Sequence, residues 1–81
     1  MKTELYQRAL AESENGLPEA FRTLPEGVRK NHVKTIVNDA WRKVIGWNHR
    51  GVTDLALLAR SFTICYISEA TANEMVVDIL G

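Results

Sequence analysis

Residues 55–67, LALLARSFTICYI, hold ten apolar side chains in thirteen positions. Projected onto a helix at about 100° per residue, they cover two sides. One side carries Leu55, Leu58, Ala59, Phe62 and Tyr66. The other carries Leu57, Ile64 and Ile67, with Arg60 among them. A helix that is apolar all round is ordinarily buried all round. This chain has only 81 residues, and a domain so short buries only about 60% of its unfolded surface. Few other residues remain to wrap both sides, so the second side is expected to meet another protein, first of all a second copy of the chain. The alternative is a closed monomer whose own helices cover both sides.

The rest of the chain reads as helix as well. Residues 3–15 place Leu5, Ala9 and Leu10 on one face with Tyr6 beside them, and Asn15-Gly16 is a stop that tolerates left-handed backbone. Residues 17–24 form a short helix with Pro18 suited to a first helical position. Residues 28–45 carry Val33, Ile36, Val37, Ala40 and Val44 as a core stripe, widened by Trp41 and ended by Gly46. Thr53 is the expected N-cap of the next helix, with Asp54 at its positive end. Ser68 caps a last helix whose stripe is Ala72, Met75, Val76, Ile79 and Leu80. The expected fold is all-α, one helical domain over residues 1–81 with four to five short helices. Residues 62–67 have high strand propensity. A strand there is the lesser alternative, because the helical spacing runs on from Leu55 and no partner strand is visible.

The apolar C-terminal segment adds Val77 and Leu80 to the self-association candidates Leu57, Ile64 and Ile67. An end this apolar is expected to be docked, on its own core or on another subunit. Trp47, His49 and Arg50 fall between Gly46 and Gly51, in what reads as a displayed loop. Trp and Arg are enriched at interface hot spots, which makes this trio the candidate partner-binding site. The alternative folds Trp47 back onto the end of the core.

Composition narrows the function classes. Apolar residues at 46% and charged residues at 25% suit a folded protein. Ten basic residues balance ten acidic ones, but unevenly: residues 1–21 carry a net −2, residues 22–50 a net +5 and residues 51–81 a net −3. The basic middle offers Arg29, Lys30, Lys34, Arg42 and Lys43 as alternative nucleic-acid contacts. They are spread around the helix rather than aligned, whereas a reading helix needs its bases on one exposed side. A helix-turn-helix over 53–80 also fits poorly, since 69–75 contains two acids and no base. Acidic helices packed against a basic one is the simpler expectation.

No enzyme is expected. Cys65 lies in the most apolar segment, where burial makes a thiol inert. His32 and His49 show no ligand spacing with it, so neither metal nor cofactor is expected. Glu12 and Glu14 face different directions and form no acid–base pair, and no phosphate loop is present. The N-terminus has no apolar signal region and no stretch reaches the roughly 20 residues of a membrane span. The chain reads as a whole cytoplasmic gene product, its lone thiol fitting a reducing compartment. The expected function is a non-enzymatic, self-associating protein that binds and inhibits a regulatory partner such as a repressor. Phage or mobile-element antirepressors and anti-factors are of this type. A small DNA- or RNA-binding regulator is the alternative.

Overall fold

The computed structural model describes residues 2–81; Met1 lies outside them. Among the described residues are five helices and no strand: α1 (Thr3–Asn15), α2 (Glu19–Arg22), α3 (Glu26–His49), α4 (Leu55–Thr63) and α5 (Glu69–Leu80). The all-α expectation therefore holds. Around one core, α1 packs on α3, α3 on α4, α4 on α5 and α5 back on α1. Leu5 and Ala9 of α1 meet Val33, Val37, Ala40 and Val44 of α3 there. Leu58, Ala59 and Phe62 of α4 and Ala72, Met75 and Val76 of α5 complete the interior. These residues come from the apolar faces of four helices, each buried because its spacing keeps it on one helical face.

Two helix ends are closed by the same device. At the end of α3, the Val52 N–H donates to the Trp47 carbonyl at 3.0 Å and the Gly51 N–H to the Asn48 carbonyl at 3.0 Å. Gly51 sits at φ 91°, in the left-handed region that this closure requires. After α4, the Ile67 N–H donates to the Phe62 carbonyl at 3.4 Å and the Tyr66 N–H to the Thr63 carbonyl at 3.0 Å. Here the left-handed position is held by Tyr66, at φ 68°. A non-glycine residue in that conformation costs roughly 1–2 kcal/mol.

These closures correct several expectations. Gly46 does not end α3, which runs on through His49; one interior glycine is tolerated in a helix at about 1 kcal/mol. The segment read as a loop between Gly46 and Gly51 is thus the last turn of α3, to His49, followed by its closure at Arg50 and Gly51. Helix α4 stops at Thr63 instead of continuing to Ile67, so 62–67 is a helix end and a turn. Leu55 and Tyr66, placed on the core side by helical projection, are exposed. Leu55 is in the first turn of α4, and Tyr66 has left the helix. The N-cap of α4 is Asp54, whose carboxylate accepts the Leu57 N–H at 3.2 Å, and not Thr53. Pro18 stands at the cap of α2, outside the helix. Ser68 does cap α5, accepting the Thr71 N–H at 3.2 Å.

Gly16 also differs from expectation. Its φ is −91°, so left-handed backbone is not what it supplies. A Cβ at this position would lie 2.7 Å from the Tyr66 Cβ. Gly16 is needed for the close approach of the α1 end to the α4–α5 turn. Nearby, Glu12 of α1 bridges to α5. Its Oε1 accepts the Ser68 N–H at 2.8 Å and its Oε2 the Thr71 hydroxyl at 2.7 Å.

Candidate functional site

The outward side of α4 keeps two large apolar residues in solvent. Leu57 is 47% exposed and Ile64, just past the helix end, is 67% exposed. Ile67 is not with them. It is 3% exposed and belongs to the core. The physical reason is the closure after α4: the left-handed Tyr66 turns the chain, and Ile67 comes inward to the cluster that holds Phe62. Such a pair usually meets across this motif. The self-association set drawn from the sequence is therefore split, with Ile67 consumed by the chain's own interior.

The surplus of apolar surface is also smaller than chain length suggests. The accessible surface is 5137 Å², close to the roughly 4,900 Å² expected of a folded monomer of this mass. The chain encloses its core without help. What remains outside is local: Leu55, Leu57, Ile64 and Tyr66 around α4, Val77 and Leu80 on α5, and Val28 on α3. Val77 is 58% exposed, while Ile79 packs against the core. The C-terminal helix thus docks on its own chain by one face and leaves the other open.

A groove of about 570 Å³ runs between α4 and α5, lined by Leu55, Ala56, Ala59, Arg60, Thr63, Ile67, Glu69 and Asn73. Arg60 lies between Leu57 and Ile64 along the helix and also forms one wall of this groove. Glu69 lies on the opposite wall. The adjoining groove between α1 and α5 is different, because an ion pair joins its walls, from the Arg8 guanidinium to the Glu74 carboxylate.

Trp47 is half-buried and packed against the core, next to Val52 in the closure of α3. His49 and Arg50 are exposed beyond it. The three residues are brought to one helix end, but Trp47 faces inward to a degree that a displayed loop would not allow.

The basic residues of α3 are not assembled as a patch. Arg29 donates to Glu14 Oε1 at 3.0 Å and to the Leu24 carbonyl at 3.0 Å, tying α1 and the α2–α3 connection to α3. Lys30 pairs with Glu26 at 3.4 Å and Arg42 with Asp39 at 3.8 Å. Lys34 and Lys43 are exposed on different sides of the helix. Arg22 likewise donates to the Asn15 and Leu17 carbonyls at the end of α1, where cations suit the helix dipole.

The groups considered for chemistry are dispersed. The His32 ring stacks on Phe21 of α2, with centroids 4.7 Å apart and planes 7° off parallel. The Cys65 thiol is buried, with the Ser61 carbonyl at 3.4 Å and the Ile36 carbonyl at 3.6 Å as acceptors. Burial pushes this thiol up, Lys43 opposes the effect and Asp39 adds to it. Partial burial pushes the Glu12 carboxyl up, but the hydrogen bonds from Thr71 and Ser68 outweigh that and hold it below its ordinary value. Among the described residues no helix is long and apolar enough to cross a membrane.

Sequence reasoning missed Glu69 and Asn73 as groove residues, and Tyr66 as an exposed aromatic. Both errors come from extending α4 past Thr63. No residue type at 64–66 announces the turn. No family model, no curated protein and no solved structure matches this chain.

Proposed function

We propose that this protein is a non-enzymatic, self-associating helical module that binds a regulatory protein and inhibits it, in the manner of a phage-type antirepressor or anti-factor. The supporting observation is the exposed pair Leu57 and Ile64 on the outward side of α4. Large apolar side chains grouped on an otherwise closed chain mark an interaction surface. Because the core is complete without a partner, association is an added function and not a condition of folding. Arg60 within the apolar face and the acidic residues of α5 beside it set which surfaces are accepted, since like charges brought together are strongly disfavoured. His49 and Arg50 supply polar contacts at the far end of α3 for the regulatory partner, with Trp47 as their support. The work is done in the cytoplasm, where a lone thiol remains reduced.

Light scattering on the chromatographed protein tests the reading. The wild type is expected to run above its monomer mass at micromolar concentration. Leu57→Asp and Ile64→Asp are expected to return it to a monomer while keeping their helical circular dichroism. A wild-type protein that stays monomeric at every concentration overturns self-association. Capture from a lysate of the native host, followed by mass spectrometry, then identifies the regulator; recovery of the chain alone removes the inhibitory role.

A further inference from the structure

The α4–α5 groove adjoins the exposed α4 crest, because Arg60 belongs to both. Its α4 wall is built partly from Ala56 and Ala59, small side chains that leave room for another helix. Arg60 and Glu69 face this groove from opposite walls. Among the described residues, three carboxylate–guanidinium pairs are made within the chain: Arg8–Glu74, Arg29–Glu14 and Arg42–Asp39. Among the described residues, neither Arg60 nor Glu69 makes an ion pair. One apolar crest, one groove of matching helical character and one unpaired charge of each sign therefore occur side by side on the same surface.

We infer that the α4–α5 groove is the seat of a second copy of this chain, whose α4 crest lies in it with Arg60 facing the partner subunit's Glu69. The inference rests on the self-association reading above. A two-fold axis makes the arrangement self-complementary: each copy lends its crest to the other's groove, and the pair Arg60–Glu69 forms twice. Packing a helical ridge into an interhelical groove is an ordinary mode of helix association. Charge decides between this arrangement and direct antiparallel pairing of the two α4 crests. In direct pairing, Leu57 would meet Ile64 of the other copy, and the two Arg60 guanidinium groups would come together at the axis. Offsetting the crest into the groove replaces that repulsion by attraction.

Charge reversal tests the geometry, read by sedimentation velocity with the full chain. Arg60→Glu alone and Glu69→Arg alone are each expected to weaken the dimer about tenfold, since both pairs become repulsive at once. Mixing the two variants is expected to restore a heterodimer of near wild-type affinity, and the double variant to restore the homodimer. As an independent probe, Ala56→Trp fills the groove from an exposed position and is expected to abolish association with the helical signal unchanged. A wild-type monomer overturns the underlying reading and this inference together. A wild-type dimer that is indifferent to both reversals and to Ala56→Trp leaves self-association standing and overturns the groove. Variants that weaken the dimer but do not recover on mixing show that Arg60 and Glu69 act within one chain, and this too overturns the inference.

Discussion

Glu12 holds Thr71 across the α1–α5 contact: its Oε2 accepts the buried Thr71 hydroxyl at 2.7 Å while Oε1 accepts the Ser68 N–H at 2.8 Å. One carboxylate thereby satisfies the first turn of α5 from outside that helix, next to the cap Ser68 provides from within. A negative charge at a helix N-terminus is favourable in its own right.

The first prediction is acid sensitivity. The Glu12 carboxyl is held below its ordinary value of 4.5, so its contribution is present above that pH and lost as pH falls through the lowered value. Glu12→Gln is expected to cost about 1–2 kcal/mol at pH 7. Below pH 4.5 the wild type and the variant are expected to converge. Urea denaturation at pH 7 and at pH 3 measures both; an equal gap at the two values would refute the assignment.

Two glycines should respond to alanine with opposite signs. At Gly16 the new Cβ meets the Tyr66 Cβ at 2.7 Å and the Tyr66 carbonyl oxygen at 3.2 Å. Gly16→Ala is therefore expected to destabilise by about 1–3 kcal/mol through overpacking. At Gly46 a Cβ meets nothing within 4 Å. Gly46→Ala is expected to stabilise by about 0.5–1 kcal/mol, because it stiffens the unfolded chain and suits the helix. Thermal melts of the two variants provide the check.

The end of α3 allows its structural and binding roles to be separated. Trp47→Ala is expected to lower stability by about 2 kcal/mol, part of the loss seen for a fully buried tryptophan. His49→Ala and Arg50→Ala are expected to change stability by less than about 0.5 kcal/mol, as exposed residues do. Once the regulator is in hand, calorimetric titration of the two exposed variants shows whether it docks here. Unchanged affinity for both would remove this helix end from the interface.

Ser13 lies fully buried on α1, and its hydroxyl has no hydrogen-bond partner among the described residues. Ser13→Ala removes an unsatisfied polar atom and nearly preserves volume. It is expected to stabilise by about 1 kcal/mol. A drop in chemical-denaturation midpoint would show that the hydroxyl is in fact satisfied.

What could be read from residues alone followed the strength of local signals. The bounds of α1 and the Ser68 cap came from short-range chemistry that tertiary packing did not override. The end of α3 was misplaced because Gly46 and Gly51 are both glycines, and only the second occupies a left-handed position. The end of α4 was less legible still. Tyr66 performs the same task as Gly51, yet a tyrosine gives no sign of it. Tyr66 and Ile67, projected on a continuing helix, were consequently turned the wrong way. Leu57 and Ile64 fell on the exposed side as their spacing indicates, because they precede that turn. The groove was invisible for a different reason. It is formed by α4 and α5 together, and its walls come into register only once the turn at Tyr66 is made.

Helix α3 has 24 residues, a rod of roughly 36 Å, against a longest molecular dimension of 40 Å. It serves as the spine against which the other elements are registered. Deleting one residue near its middle would swivel the distal half by about 100°. Val44 and Trp47 would swing out to water while Val33 and Val37 stayed in place. A change of length inside this spine is thus expected to disrupt the core, and one in the connections to be better tolerated.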